Sequence, residues 1–500
     1  MLDVLIIGCG IVGAAAAYEL SRYDLKITAI DRLNDIAGET TRANSGLIHA
    51  GFDPESGSLM ARLNVRGNTL ARELCAKLDV PFKQNGALVI GFNDDDQATI
   101  EKLYHRGIEN KVEGLEIISG DKARELEPRL SEAVVCALSV PTAGIVSPWD
   151  FAVALAETAA RNGVDFQLGA AVTAIAPIIN DYDTIIGYSV TTTKGKYRAK
   201  IVVNAAGLYT DTVHGFLKTP DFKIIPSRGQ YYLLDKSAGS TVSRTIFQCP
   251  NEFGKGIMVT PTVHGNLLVG PSHGVVSNPN DNSTDAQTLD FVWKTAVKSV
   301  PGLNIRENIR NFAGVRAIAD TDDFIIRESS KGFFDLAGIK SPGLSAAPAI
   351  AEELVRLIKL SAVVSDSNSK SSNTLNPSIT LTLKPENAFI DTRTVTRFHD
   401  LNAAQRTEII RKNPAYGRMV CRCEGITEGE ILDAFNAPIP PTTVDAIKRR
   451  THAGMGRCQG GFCAPRIIEL IAKRYGIPPT AVLKDREGSH ILTGIKGEPS

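Results

Sequence analysis

The chain has 500 residues, and its 55 basic and 55 acidic side chains give a formal net charge of zero. This length predicts two or three domains, and the balanced charge disfavours nucleic acid or an anionic membrane as the main partner. No run of eighteen apolar residues is present, so we expect no membrane-spanning helix. The apolar N-terminus has no basic leader, so we expect it to form a first strand rather than a signal peptide. We therefore expect a cytoplasmic location.

The first predicted unit is a strand, a helix and a second strand, joined by a glycine-rich turn. Residues 3–7 are an apolar run typical of a buried parallel strand, residues 14–21 continue as a helix, and residues 26–30 form the next strand. In such a unit the first glycine makes the turn, the second admits a pyrophosphate to the backbone, and the third lets helix and strand pack closely. An acid after the second strand binds ribose hydroxyls. The arrangement predicts a dinucleotide cofactor rather than an unrelated glycine-rich turn, and the residues concerned are Gly8, Gly10, Gly13 and Asp31.

Beyond this unit the chain leaves the simple alternation of strand and helix. Residues 38–46 are small and polar, suited to wrapping a cofactor phosphate or ring. Three alternating stretches, at residues 86–91, 227–234 and 266–270, predict antiparallel strands of a second sheet that covers the substrate. The nucleotide-binding domain is therefore expected to be discontinuous. Its further predicted elements are a helix over 148–162, strands over 200–204 and 333–338, and a helix over 349–360.

The C-terminal part carries half of the chain's eight cysteines in two short segments. Two close pairs predict one four-ligand metal or cluster site, and the glycines around the second pair admit backbone N–H groups to the sulfurs. Zinc also takes four thiolates, so the spacing leaves zinc and an iron–sulfur cluster open. The candidate ligands are Cys421, Cys423, Cys458 and Cys463. The scattered Cys9, Cys75, Cys136 and Cys249 are predicted to be buried thiols of a reducing compartment.

A segment rich in Ser, Asn and Asp, residues 361–373, predicts a linker between the two parts. The remaining predicted elements are helices over residues 402–412, 427–437, 443–449 and 464–475, the last with a proline in its first turn.

Three motifs together resemble the FAD-dependent D-amino-acid-oxidase/glycerol-3-phosphate-dehydrogenase superfamily: the N-terminal fingerprint, residues 202–207 and residues 338–345. Residues 44–51, with 58–63 after them, are similar to two branches, one that oxidises glycerol 3-phosphate and one that oxidises L-2-hydroxyglutarate. The cysteine module resembles the bacterioferritin-associated-ferredoxin-like [2Fe–2S] domain. Its fusion to such a flavoprotein resembles the large subunits of anaerobic glycerol-3-phosphate dehydrogenases, which makes zinc the less favoured occupant.

The resemblance implies an α/β plus α architecture: a Rossmann-like FAD-binding domain, an antiparallel-sheet substrate domain and a small helical C-terminal iron–sulfur domain. The implied FAD-binding domain is discontinuous, at residues 1–85, 145–220 and 313–360, with the substrate domain at 86–144 and 221–312, a linker at 361–412 and the [2Fe–2S] domain at 413–485. The implied FAD-binding residues are Gly8, Gly10, Gly13, Asp31, Arg32, Thr40, Thr41, Asn44, Ser45, Gly46, Val172, Ala206, Gly207, Gly343, Leu344 and Ser345.

Oxidation of a secondary alcohol needs a base near the hydroxyl and cations for the charge of the substrate. His49, in the block likened to the flavin-facing loop, is expected to be the base; the alternatives are a structural role or a covalent flavin tether. Arg316 resembles the position where glycerol-3-phosphate enzymes hold phosphate, and Lys340 lies inside the C-terminal flavin motif. Arg62 and Arg228 are further anion-binding candidates, and His264 is expected to be a turn histidine without catalytic work.

We therefore expect a dehydrogenase that oxidises sn-glycerol 3-phosphate to dihydroxyacetone phosphate and passes electrons through FAD and a [2Fe–2S] cluster to a partner. The alternatives are a dehydrogenase of L-2-hydroxyglutarate or another 2-hydroxy or amino acid, and a non-catalytic electron-transfer or scaffold subunit with zinc in the cysteine site. The expected partners are a small anionic hydroxy substrate and an electron-acceptor protein or partner subunits, through which peripheral membrane association is left open.

Overall fold

The structure, a computed structural model, describes residues 1–250, 256–361, 363 and 379–494. In these ranges a mostly parallel sheet forms the nucleotide-binding part. Leu2–Ile7 pairs in parallel with Gly195–Asn204 on one side and with Ile27–Asp31 on the other. The sheet has eight strands among the described residues: Leu2–Ile7, Ile27–Asp31, Asp165–Leu168, Val172–Ile179, Ile185–Thr192, Gly195–Asn204, Ile325–Ser330 and Phe333–Ala337.

Helices cover the apolar centre of this sheet. The helix Ile11–Leu20 packs against Pro148–Arg161 and Gly343–Leu360, and the strand Leu2–Ile7 is buried from Val4 onward. Strands buried on both faces have continuous apolar runs, as the sequence showed. The carboxyl ends of the parallel strands therefore open onto one crevice, where the glycine turn and Asp31 lie.

A second sheet lies beside the first, and the long antiparallel pair Ile224–Leu234 and Asn308–Ala319 forms one of its sides. All three alternating stretches belong to it. Ala87–Gly91 differs from the prediction, because it is antiparallel to Cys136–Val140 but parallel to Thr245–Gln248. Its nine strands among the described residues are Ala87–Gly91, Glu116–Ser119, Cys136–Val140, Ile224–Leu234, Thr245–Gln248, Met258–Pro261, Leu267–Gly270, Gly274–Val275 and Asn308–Ala319.

Two small sheets and the helices complete the described part. The small sheets are Leu47–Ile48, Phe82–Lys83 and Gly144–Val146, and Met419–Cys421 with Ile426–Thr427. The α-helices are Ile11–Leu20, Leu59–Lys77, Asp94–Glu109, Gly120–Leu126, Pro148–Arg161, Thr210–Gly215, Ala286–Ser299, Gly343–Leu360, Ala403–Lys412, Glu428–Phe435, Val444–Thr451 and Ala464–Tyr475. Within the described ranges, no helix has both the length and the apolar character needed to cross a membrane.

One predicted helix begins earlier than expected. The helix that was predicted from residue 349 starts at Gly343 and has Pro348 inside it. A proline removes one backbone donor from a helix, and here this loss does not end the helix. The consequence is functional, because Gly343 and Ser345 of the predicted flavin motif lie in the first turn of a helix rather than in a loop.

The segment after the serine-rich stretch is docked rather than extended. Most of residues 361–373 lie outside the described residues. Further on, Arg393 donates to Glu157 at 3.0 Å and Arg397 donates to Asp79 at 2.8 Å. Residues 379–397 of the predicted linker therefore lie against the nucleotide-binding part, whereas the N–H of Phe398 donates to Glu430 of the cysteine module at 3.1 Å. The other domain boundaries stay a prediction.

The cysteine module has a small core of its own. The helices Glu428–Phe435, Val444–Thr451 and Ala464–Tyr475 surround buried Ile431, Ile447, Ile467 and Ile471. The last helix has the bounds predicted from its amphipathic pattern.

Candidate functional site

Of the three fingerprint glycines, only Gly10 has open space where a side chain would lie. A Cβ on Gly8, whose φ is +102°, would lie 2.4 Å from the carbonyl oxygen of Ala205, and a Cβ on Gly13 would lie 1.8 Å from that of Gly8. These two glycines serve close packing. A Cβ on Gly10 would meet only the Thr41 hydroxyl, at 3.3 Å, so Gly10 borders the space at the N-terminus of the helix Ile11–Leu20. This is the cradle that a pyrophosphate needs.

The carboxylate of Asp31 is held beside this turn by backbone donors. The N–H of Cys9 donates to Oδ2 at 2.7 Å and that of Leu33 to Oδ1 at 2.8 Å. Burial raises the pKa of Asp31, and these hydrogen bonds oppose the rise. The neighbouring Arg32 pairs with Glu39 at 2.7 Å.

Tyr209 is a residue that the sequence reasoning missed at this end of the site. The guanidinium of Arg32 lies 4.2 Å from the centroid of its ring. Tyr209 follows the predicted Ala206 and Gly207, and a Cβ on Gly207 would meet nothing within 4 Å. Val172 begins a strand just after Ala170, whose N–H donates to the Asp31 carbonyl at 2.7 Å. These predicted FAD-binding residues thus gather near the carboxyl ends of the parallel strands.

The predicted loop over residues 38–46 is tied down by its own side chains. The Thr41 hydroxyl accepts the N–H of Ile11 at 3.0 Å, and the Thr40 hydroxyl donates to the carbonyl of Val315 at 2.6 Å. Asn44 accepts the N–H of Gly46 at 2.8 Å. The loop therefore joins the glycine turn to the second sheet. Asn44, Ser45 and Gly46 line a cavity of about 730 Å³ whose wall also includes Gln459, next to Cys458.

His49 lies against the start of the helix Gly343–Leu360. Its N–H donates to the Ser345 hydroxyl at 2.7 Å, and its Nε2 lies 3.2 Å from the Ser341 hydroxyl. Its ring centroid is 6.0 Å from that of Phe247 in the second sheet. Gly343, Leu344 and half-buried Lys340 belong to the same segment. The fold therefore brings the predicted base to the predicted flavin motif, although nearly 300 residues separate them.

Arg316 lies in the second sheet, opposite Ser227 in the strand register. Its Nη2 donates to the carbonyl of Ser272 at 3.3 Å. Burial raises the pKa of Tyr231, and the facing Arg316 charge opposes the rise. Burial lowers the pKa of His273, and Arg316 lowers it further. No periodic pattern in the sequence marked this group of side chains around Arg316.

The other two candidate cations are engaged elsewhere. Arg62 donates to Glu353 at 3.3 Å, and Arg228 donates to Asp281 at 2.8 Å. Both arginines are therefore paired with carboxylates, and a role in anion binding stays a prediction for each.

The four C-terminal cysteines come together as two pairs. Cys423 Sγ and Cys458 Sγ are 3.6 Å apart, and Cys421 accepts the N–H of Gly454 at 3.5 Å. A hydrogen bond from Cys463 lowers the pKa of Cys421 to about 6, and the same contact raises that of Cys463. The other four cysteines are buried free thiols, as predicted.

The arrangement of these thiols fits a two-metal cluster better than one zinc ion. A tetrahedral zinc site with Zn–S bonds of about 2.3 Å needs all four sulfurs about 3.8 Å from one another. Among the described residues, the four cysteines do not form a group of three or more metal-binding side chains whose ligand atoms all lie within 4.8 Å of one another. The group that meets this criterion is Asp150, His264 and His452. Two separate thiol pairs suit the two irons of a [2Fe–2S] cluster.

The two parts of this site define a flavoprotein with an iron–sulfur module. The family model described as "FAD dependent oxidoreductase" matches residues 3–357, and that described as "BFD-like [2Fe-2S] binding domain" matches residues 419–473. The chain belongs to the FAD dependent oxidoreductase family and ends in a BFD-like [2Fe–2S] domain. The predictions of fold class, enzyme class, FAD and a [2Fe–2S] cluster are confirmed, and the scaffold alternative with zinc in the cysteine site is wrong.

Among individual proteins, the chain is 45% identical to "Glycerol 3-phosphate dehydrogenase" of Caloramator mitchellensis, over 99% of this chain and 98% of that protein. It superposes on "Dithionite reduced L-alpha-Glycerophosphate Oxidase from Mycoplasma pneumoniae with FAD bound" with a TM-score of 0.71 and 32% identity, covering 79% of this chain and 99% of that one. It is 27% identical to "L-2-hydroxyglutarate dehydrogenase, mitochondrial" of Arabidopsis thaliana, over 71% of this chain and 82% of that protein.

Proposed function

We propose that this oxidoreductase converts sn-glycerol 3-phosphate to dihydroxyacetone phosphate and delivers the electrons through its flavin and its [2Fe–2S] cluster to a partner acceptor. The observation that carries the proposal is the position of His49. Its backbone is tied to Ser345 of the flavin segment at 2.7 Å, and its ring faces Phe247 of the covering sheet. A base between flavin and substrate sheet is what the oxidation of an alcohol requires.

We assign proton removal and substrate binding to named side chains. Bound FAD supplies a hydride acceptor. The imidazole of His49 accepts the hydroxyl proton, and its Nε2, 3.2 Å from the Ser341 hydroxyl, lies beside the flavin segment. Arg316 holds the phosphate through charge-assisted hydrogen bonds, with Lys340 as a second cation beside the flavin segment.

The likeness to relatives supports glycerol 3-phosphate over 2-hydroxy acids. The Caloramator protein matches over 99% of this chain, a length that includes the cysteine module. The hydroxyglutarate dehydrogenase of Arabidopsis matches over 71% and at lower identity. Gly46 of the flavin loop and Gln459, next to Cys458, line the same cavity, so the two predicted cofactor sites lie near each other.

The experiment is a substrate panel with the FAD- and cluster-loaded protein under anaerobic conditions. Flavin absorbance is followed after mixing with sn-glycerol 3-phosphate, L-2-hydroxyglutarate, glycine or L-proline. We expect rapid bleaching with glycerol 3-phosphate and formation of dihydroxyacetone phosphate. Faster bleaching by L-2-hydroxyglutarate would replace the proposal with the hydroxy-acid alternative.

A further inference from the structure

Three side chains from separate parts of the chain meet where the two sheets contact the cysteine module. Asp150 lies in the first turn of the helix Pro148–Arg161, and His264 lies in the turn between two strands of the second sheet. His452 ends the helix Val444–Thr451 with a left-handed φ of +65°. Among the described residues, these three form the group of metal-binding residue types whose ligand atoms all lie within 4.8 Å of one another.

The distances within the trio match those between ligands of one metal ion. His452 Nε2 lies 3.1 Å from Asp150 Oδ2, and His264 Nε2 lies 3.6 Å from the same oxygen. A tetrahedral zinc ion with bonds of about 2.0–2.1 Å places neighbouring ligand atoms about 3.3–3.4 Å apart. The two separations bracket this value, and both imidazoles present Nε2 to the same carboxylate oxygen.

The chemical state of the trio also suits a cation. His264 Nε2 is buried and has no hydrogen-bond partner, because 3.6 Å is too long for a hydrogen bond to Asp150. The two imidazole centroids are 3.6 Å apart, and two positive rings at that distance would repel each other. A cation held between the two rings and the carboxylate would give this buried nitrogen the partner that it lacks.

The site has room for a further ligand. Two cavities, each of about 730 Å³, have His264, His452 and Glu424 in their walls. Glu424 accepts a hydrogen bond from Lys236 through Oε2 at 2.9 Å, while its Oε1 is buried without a partner. A water molecule in these cavities would complete four-coordination.

We propose that Asp150, His264 and His452 form a binding site for one divalent transition-metal cation such as zinc. The bound cation holds the cysteine module against the two sheets. Two imidazole nitrogens and a carboxylate oxygen are a common donor set for zinc. The three ligands come from three separately packed regions, so that binding the cation stabilises the docked arrangement. The site is distinct from the four thiols, and the proposal does not depend on which substrate the protein oxidises.

The test is equilibrium dialysis of the FAD- and cluster-loaded protein against zinc chloride, with zinc, iron and flavin measured per chain. We expect about one zinc bound without loss of iron, and a rise in the thermal unfolding midpoint with added zinc. Asp150→Asn and His264→Gln should lose the zinc and the shift while retaining FAD and iron. His105→Gln, which changes an exposed histidine, should behave as the unaltered protein.

Two results would overturn the proposal. One is the absence of bound zinc in the unaltered, fully loaded protein, which would make the trio a hydrogen-bonded contact only. The other is an undiminished zinc content in His264→Gln. The first needs no variant, so a folding defect in a variant does not protect the proposal, and neither result depends on the identity of the oxidised substrate.

Discussion

The guanidinium of Arg450 donates to both oxygens of Asp35, from Nη2 to Oδ1 at 2.9 Å and from Nη1 to Oδ2 at 3.1 Å. Both side chains are buried, and Arg449 adds a third hydrogen bond to Asp35 at 2.8 Å. Burial raises the pKa of Asp35, but the two guanidinium charges outweigh it and lower this pKa below its ordinary value. The pair joins the cysteine module to the loop that follows the strand Ile27–Asp31.

Asp35→Asn should loosen the cysteine module. The change removes the carboxylate charge that the two buried guanidinium groups share. Arg449 keeps Asp485 at 3.3 Å and Arg450 keeps Glu157 at 3.5 Å, but losing one partner of a buried ion pair costs about 3–5 kcal/mol. We expect faster proteolysis between the two parts and slower electron transfer from flavin to cluster, with substrate-driven flavin reduction largely kept. Asp290→Asn, which removes an exposed pair with Lys294, is the control. Unchanged proteolysis of Asp35→Asn would contradict this.

Gly10→Val should fold and lose FAD. A Cβ at Gly10 meets only the Thr41 hydroxyl at 3.3 Å, so the protein tolerates it, but a valine fills the space that the pyrophosphate needs. Gly13→Ala should instead disturb folding, because its Cβ would lie 1.8 Å from the Gly8 carbonyl oxygen. Flavin absorbance per chain and circular dichroism separate the two effects. Normal flavin content in folded Gly10→Val would show that the cradle is misplaced.

His49→Ala and Arg316→Ala should affect different kinetic quantities. Loss of the base should slow flavin reduction by roughly 10²-fold or more, whereas loss of Arg316 should mainly raise the substrate concentration needed. Stopped-flow reduction at several glycerol 3-phosphate concentrations measures both. Arg66→Ala is the matched control, because Arg66 is exposed and pairs with Glu352 at 2.8 Å. Near-normal reduction in His49→Ala would move the base role to another side chain.

Cys458→Ser should remove most of the cluster and leave the flavin reaction intact. The substitution takes away one of four thiolate ligands, while the FAD-binding residues lie in the other part of the chain. Iron analysis and electron paramagnetic resonance of the reduced protein report the cluster, and flavin bleaching reports the substrate step. Transfer to a protein acceptor should fail. Cys136→Ser, at a buried free thiol, should keep its iron; equal iron in both variants would exclude Cys458 as a ligand.

Glu353 should contribute to stability in a pH-dependent way. Hydrogen bonds from Arg356 and Arg62 lower its pKa from 4.5 to about 2. A depressed pKa in the folded state means that the contribution is complete above about pH 4.5 and is lost as the pH falls toward 2. The difference in urea unfolding midpoint between the unaltered protein and Glu353→Gln should be constant from pH 7 to 5 and smaller at pH 3.5. A constant difference at all three values would contradict this.

The sequence by itself determined the cofactors and the local elements. Gly8, Gly10 and Gly13 follow a strand and begin a helix. This spacing provides a tight turn, access of a pyrophosphate to the backbone and close packing of helix on strand. The four cysteines predicted a four-ligand site because the number and type of ligands can be read directly from the chain. The helix Ala464–Tyr475 was predicted with its observed bounds, since a 3.6-residue periodicity is a local property.

Only the tertiary structure decided which distant side chains meet. Asp150, His264 and His452 gather within 4.8 Å, and His264 had looked like an isolated turn histidine. Arg62 had seemed available for an anion and is paired with Glu353, and the polar segment after residue 379 is docked by ion pairs instead of spanning free space. The reason is common to all three. Contacts across hundreds of residues depend on how the sheets and the cysteine module pack together, and no periodicity or short spacing in the chain encodes that packing.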